Sequence, residues 1–154
     1  MPMSCTITEH INAPTDKVFA AATDFASAPQ RISGIKKMEM LTDGPVGKGT
    51  KFRETRVMFG KEASETMEVV DFQPGRSYTL AAASHGCAYS TVVSVRPAAR
   101  GGSEVTFDFS GKPLTTGARI MGTLMGWMFK GACVKAIKKD LTDLKTWLES
   151  PAVG

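Results

Sequence analysis

Charged side chains that could act on a ligand occur in two neighbouring segments, RETR at residues 53–56 and SETM at residues 64–67. Alternate side chains of an extended strand share a face, so Glu54 and Arg56 should lie on the face of Phe52, and Glu65 beside Met67. An inward pair of this kind could hold the carboxylate or phenol of a ligand, or its two charges could neutralise each other. Because charged residues are rarely buried unless they are paired, outward pairing at the surface is the favoured interpretation.

A second candidate region is a turn flanked by His85 and Tyr89, which could lie at the mouth of a cavity. Histidine or tyrosine there could act as the acid or base of an aldol cyclisation or a dehydration. No Asp or Glu stands at a spacing that would orient His85. The catalytic candidates are therefore Tyr89, His85, Glu54 and Arg56, while Cys87 is interpreted as an ordinary loop cysteine.

The cysteines give no sign of a metal site or a disulfide framework. Cys5, Cys87 and Cys133 are odd in number and far apart in the chain, which argues against both and favours a reducing compartment. The sequence has no glycine-rich phosphate loop, no GxSxG nucleophile motif and no paired metal-ligand spacing. We therefore expect neither a metal nor a cofactor.

The charge pattern restricts the partners. A net charge of +4 arises from 19 basic and 15 acidic residues spread along the chain, without the basic stripe and interleaved aromatics of nucleic-acid-binding proteins. Lys130, Lys135, Lys138 and Lys139 would support at most a weak contact with anionic lipid surfaces. No apolar run is long enough for a signal peptide or a membrane span. We expect a cytoplasmic protein, monomeric or homodimeric.

The elements that must position these residues follow from periodicity and turn chemistry. An alternating run over 5–11 predicts a first strand, and Pro14 predicts the first position of a helix directly after it. A second short helix is expected over 25–32. Period-two alternation then predicts strands over 36–42, 50–58, 62–72, 77–85, 88–96 and 103–111. Short Gly- and Pro-containing turns separate them, so they should form an antiparallel meander.

The last predicted element is a long helix over 114–150, with Thr115 or Thr116 as its N-cap. Its second half is amphipathic, and charged residues including Asp140 are assigned to its outer faces. The apolar positions of that half are Val134, Ile137, Leu141, Leu144 and Leu148. Residues 120–129 are instead apolar in almost every direction. That half could be an ordinary two-sided core helix, or its methionines could form an adaptable surface for an apolar guest.

Together these elements predict one α+β domain over residues 1–154: a curved seven-stranded antiparallel sheet wrapped around the long helix, with two short helices after the first strand. A curved sheet around a helix encloses space, which small or flexible side chains would leave as a cavity. The side chains predicted to line it are Phe52, Met67, Tyr78, Leu80, Tyr89, Val93, Phe107, Met121, Leu124, Met125, Met128 and Phe129.

Four short segments carry a resemblance to known proteins: INAPTDKVF at 11–19, PVGKGTKF at 45–52, VVDFQPGR at 69–76 and GGSEVT at 101–106. In this order, and with a terminal helix, they resemble the START-like, Bet v 1-like superfamily (SRPBCC), which includes polyketide cyclase/dehydrase and lipid-transfer proteins. The resemblance covers essentially the whole chain. It implies a helix-grip fold with an apolar cavity, but no single reaction, because one fold can carry many functions.

Three functions remain open from the sequence. The preferred hypothesis is binding or transport of a hydrophobic small molecule or lipid, because flexible methionines and few convergent titratable groups suit a container better than an enzyme. The first alternative is a cyclase/dehydratase acting on an aromatic or polyketide-like substrate. The second is a protein-interaction module of the chaperone-activator kind, in which Trp127 and Met128 form a docking patch or dimer interface.

Overall fold

The computed structural model describes residues 3–58, 60–84 and 86–150, and for residues 3, 58, 84 and 121–129 it describes the backbone alone. Strand β1 is followed by helix α1, a short 3-10 helix, six further strands and the long helix α2. Their bounds are β1 Met3–Ile11, α1 Thr15–Thr23, the 3-10 helix Phe25–Gln30, β2 Ile35–Met40, β3 Lys51–Met58, β4 Lys61–Gln73, β5 Ser77–Ser84, β6 Cys87–Pro97, β7 Ser103–Pro113 and α2 Thr116–Glu149.

The strands form one antiparallel sheet in the order β1-β7-β6-β5-β4-β3-β2. Strands β2 to β7 pair consecutively, so the predicted meander is confirmed, and β1 joins its far edge by pairing with β7. The register shifts once in β2 and once in β4, between Val69 and Asp71. Such irregularities bend a strand and increase its twist, which favours a curved sheet.

Helix α1 and the 3-10 helix cover one end of the concave face, where Val18, Phe19 and Phe25 are buried. Pro14 was predicted at the first helical position and is instead the N-cap. Its ψ of 151° is extended rather than helical, so the helix begins one residue later.

Helix α2 lies across the concave face of the sheet. It begins at Thr116, and the side chain of Thr115 accepts a hydrogen bond from the backbone N–H of Ala118, so Thr115 is its N-cap. The apolar stripe predicted for its second half forms much of the core with the inward residues of the strands, through Ile137, Leu141, Leu144 and Leu148. Within the described residues, no helix is long and apolar enough to cross a membrane.

A buried hydrogen bond ties the start of β7 to the segment between β1 and α1. The hydroxyl of Ser103, which has no exposed surface, donates to the carbonyl oxygen of Ala13 at 2.7 Å. Replacing Ser103 with alanine should lower the free energy of unfolding by about 1–2 kcal/mol, because a buried carbonyl would lose its partner. Chemical denaturation would measure this loss, and a change below about 0.3 kcal/mol would contradict it.

Candidate functional site

A cavity of about 520 Å³ lies between the concave face of the sheet, the two short helices and the second half of α2. Its described lining is mostly apolar and aromatic. The sheet and α2 contribute Met38, Phe52, Met67, Tyr78, Leu80, Tyr89, Phe107, Phe109, Cys133, Ala136, Ile137, Leu141 and Leu144, and the short helices contribute Ala21, Ala22, Phe25 and Ala28. A space of this size suits a small organic molecule.

The described lining includes six of the strand residues that the sequence predicted to face a cavity. Phe52, Met67, Tyr78, Leu80, Tyr89 and Phe107 all line the cavity. Val93, also predicted to line it, is fully buried in the core and is not one of the residues that line this cavity. Whether any of these residues contacts a ligand stays a prediction.

For several residues predicted to form the site, the structure describes no side chain. Met121, Leu124, Met125, Met128 and Phe129 belong to α2, but their side chains lie outside the described part of the chain. The same holds for Trp127, which the docking hypothesis used, and His85 lies outside the described residues altogether. The roles proposed for them stay predictions.

The lining also contains a three-residue ionic cluster formed by Arg56, Glu54 and Asp140. Arg56 donates through Nε to Glu54 Oε2 at 3.0 Å, through Nη1 to Asp140 Oδ1 at 3.1 Å, and through Nη2 to Asp140 Oδ2 at 2.6 Å. The exposed fractions of the three side chains are only 22%, 12% and 14%. The favoured outward interpretation of Glu54 and Arg56 is therefore wrong, because Asp140 supplies a second carboxylate that makes burial of the guanidinium tolerable.

Asp140 is the residue that the sequence interpretation missed, since it was assigned to an outer face of the helix. It stands three residues after Ile137 and four before Leu144, two positions of the inward stripe, so helical geometry places it beside them. That spacing was the available signal.

The cluster changes the acid–base properties of its members in two ways. Burial works against the charged guanidinium, but the hydrogen bond that Arg56 donates to Asp140 and the charge of Glu54 outweigh burial and raise the pKa of Arg56. Burial raises the pKa of Asp140, and the hydrogen bond and charge of Arg56 offset only part of that rise. Arg56 therefore stays protonated, and Asp140 holds a proton to higher pH than an exposed aspartate.

Two tyrosines line the cavity with protonated hydroxyls. Burial and then the neighbouring Cys87 raise the pKa of Tyr89 to about 12, and its ring stacks on Phe109 with centroids 5.8 Å apart. Burial also raises the pKa of Tyr78, whose hydroxyl donates to the carbonyl oxygen of Ala22 at 3.3 Å. The raised pKa keeps both hydroxyls protonated at neutral pH, so each is a hydrogen-bond donor and neither tyrosine is an effective base.

A metal centre finds no support in the described part of the chain, where no group of three or more His, Cys, Asp or Glu side chains could hold an ion. Cys133 lies on the cavity wall, where burial raises the pKa of its thiol. A raised pKa keeps that thiol protonated and poorly nucleophilic.

The fold is shared with solved structures of low sequence identity. The Zhui aromatase/cyclase from Streptomyces sp. R1128 is 15% identical, with a TM-score of 0.84, over 100% of this chain and 99% of that chain. A START superfamily protein from Mycobacterium smegmatis is 15% identical, with a TM-score of 0.75, over 96% and 97% of the two chains. TTHA0849 from Thermus thermophilus is 16% identical, with a TM-score of 0.77, over 93% and 94%.

No curated protein matches the sequence. A family model described as polyketide cyclase / dehydrase and lipid transport matches residues 3–149, which is nearly the whole chain, and it includes every described residue of the cavity lining. The chain belongs to the polyketide cyclase/dehydrase and lipid transport family.

Proposed function

We propose that the protein binds a hydrophobic small molecule or lipid in the cavity between the sheet and α2. The observation that carries this proposal is the cavity of about 520 Å³ with a mainly apolar described lining and one ionic cluster on its wall. Ligand sites of proteins are typically concave, apolar and equipped with a few placed polar groups. Binding is favourable when an apolar guest of matching shape replaces water against the apolar surface of such a cavity.

The state of the ionisable groups favours a container over an enzyme. In the cluster, Arg56 is hydrogen-bonded to both Glu54 and Asp140, and neither tyrosine is deprotonated near neutral pH. General-base catalysis needs a group with a pKa near the working pH. One observation favours the cyclase/dehydratase alternative: the protonated hydroxyl of Tyr89 lines the same cavity and could act as an acid. Turnover of a polyketide-like substrate that is lost in Tyr89→Phe would support that alternative.

Delipidated protein should gain thermal stability with at least one member of a panel of fatty acids, quinones, polyaromatic ketones and aromatic alcohols. At a ligand concentration of 100 Kd the gain is about 2.7 kcal/mol, or roughly 5–10 °C in melting temperature for a chain of this size. Leu80 lies on the cavity wall at the middle of β5. Leu80→Trp should remove most of that gain, because the indole occupies the space of the guest.

The matched control is Thr79→Val, on the opposite face of the same strand, which should leave the ligand-induced gain unchanged. Differential scanning fluorimetry with and without ligand, on both variants, measures the effect. Equal gains in Leu80→Trp and the native protein would place the binding site elsewhere, and no gain with any ligand would contradict the proposed function.

A further inference from the structure

The hydrogen-bond donors of the Arg56 guanidinium are almost fully used inside the ionic cluster. Besides the three contacts given above, Nη2 donates to Glu54 Oε1 at 3.4 Å. A guanidinium has five N–H groups, so these four bonds leave a single one, on Nη1. Nη1 lies next to Gly34, since a Cβ built on that glycine would be only 3.1 Å from it. The guanidinium therefore has no pair of free N–H groups with which it could bind a ligand anion.

The acceptors of the same cluster are not used up. Each carboxylate has about four lone-pair positions and accepts two bonds from Arg56. Both Glu54 and Asp140 line the cavity. With both ionised the cluster carries two negative charges and one positive charge. It offers acceptor oxygens to a guest, together with a net negative charge.

The other described charged groups on the lining do not cancel the net negative charge of the cluster. Glu65 is a carboxylate and brings no positive charge to the lining. Arg31 donates to the carbonyl oxygens of Ala21 at 3.0 Å and Asp24 at 2.6 Å, and its guanidinium stacks over Trp147 at 5.0 Å. It also pairs with the Asp24 carboxylate at 3.6 Å. The positive charge of Arg31 is thus already paired and hydrogen-bonded within the protein. In a low-dielectric interior an unbalanced negative charge disfavours a second anion strongly.

Building on the proposed function, we propose that the cavity selects an apolar ligand whose polar end is an uncharged or cationic hydrogen-bond donor, such as a hydroxyl, phenol or amine, and discriminates against carboxylates. The donor would bind Glu54 or Asp140, and the apolar body would lie against Phe52, Leu80 and Phe107. This excludes the carboxylate-binding role that the sequence left open for Glu54 and Arg56.

Three naphthalene probes of nearly equal size separate the possibilities at pH 7.5. They are 2-naphthol, an uncharged donor; 2-methoxynaphthalene, uncharged without a donor; and 2-naphthoate, an anion. Isothermal titration calorimetry should show 2-naphthol binding at least about tenfold more tightly than 2-methoxynaphthalene, because a hydrogen bond to a charged group contributes about 1.5–3 kcal/mol. 2-Naphthoate should bind more weakly than both.

Binding of 2-naphthoate as tight as that of 2-naphthol would overturn this inference and leave the proposed function standing. If none of the three probes binds, and the broader panel also fails, both proposals are wrong. Equal affinities for 2-naphthol and 2-methoxynaphthalene would likewise overturn the inference, since the hydroxyl would then have no acceptor in the cavity.

Two variants test whether the ionic cluster is the origin of the selectivity. Asp140→Asn and Glu54→Gln each remove one negative charge while preserving shape, which makes the cluster neutral. Each should lower the ratio of 2-naphthol to 2-naphthoate affinity by at least about tenfold. Circular dichroism establishes that each variant is folded. A ratio unchanged in either folded variant would show that the cluster does not select the ligand.

Discussion

Arg56→Met should lower the free energy of unfolding by about 2–3 kcal/mol at pH 7.5. Removing one partner of a buried ion pair typically costs about 3–5 kcal/mol, because the remaining charge is buried without compensation. The side chains of this cluster keep 12–22% of their surface exposed, so solvent screening reduces that figure. Methionine retains the apolar stem of the arginine, so that the loss reports the charge rather than packing.

Arg53→Met is the matched control, three residues earlier and on the other face of β3. Arg53 pairs at 3.6 Å with Glu39, and half of its side chain is exposed, so its removal should cost no more than about 0.5 kcal/mol. Urea denaturation of both variants measures the difference. Equal losses for Arg53 and Arg56 would mean that the inward cluster contributes no more than a surface pair.

The loss of unfolding free energy in Arg56→Met should also depend on pH, because Asp140 changes its protonation with pH. Burial already raises the pKa of Asp140 above its ordinary value of 3.8, and loss of the cation must raise it further. The folded variant then binds a proton where the unfolded chain does not, so its stability falls as pH rises through that window. The gap between variant and native protein should therefore be smaller at pH 5 than at pH 7.5. A gap that widens on acidification would contradict the assignment of Asp140 as the partner.

The order of elements could be predicted because its signals are local. Turns such as Gln73-Pro74-Gly75-Arg76 separate alternating segments, and consecutive strands joined by short turns pair with each other. The position of β1, at the edge of the sheet next to β7, depends on pairing between residues about a hundred positions apart. No local pattern encodes such a pairing, so the sequence predicted seven antiparallel strands without the place of β1 among them.

The site was predictable only in part, and the reason lies in one long-range contact. Alternation placed Phe52, Glu54 and Arg56 on one face but could not decide whether that face points inward. The inward orientation of Arg56 depends on Asp140, which is 84 residues from Arg56 in sequence and lies on α2. Taken singly, an arginine on a strand and an aspartate on a helix each belong at the surface. Only their combination makes burial of both acceptable.

Phe52→Ala should have the largest effect on stability, a loss of about 3–5 kcal/mol. Only 1% of Phe52 is exposed, and its ring stacks on Phe25 of the 3-10 helix with centroids 4.4 Å apart. Alanine removes both the buried apolar surface and the aromatic pair that holds the 3-10 helix against the sheet. Val57→Ala, on the outward face of the same strand where 43% of the residue is exposed, should cost no more than about 0.5 kcal/mol.

Phe52 also forms part of the cavity wall, so the same substitution tests how rigid that wall is. Protein interiors are close-packed, and a removed ring is only partly replaced by relaxation of its neighbours. If the wall holds, Phe52→Ala enlarges the cavity, and a probe with one more fused ring than naphthol should gain affinity relative to 2-naphthol. If the 3-10 helix collapses into the space, the loss of stability should fall below about 2 kcal/mol and the larger probe should gain nothing. Denaturation and calorimetry on one variant thus distinguish a preformed cavity from one that closes when its packing is removed.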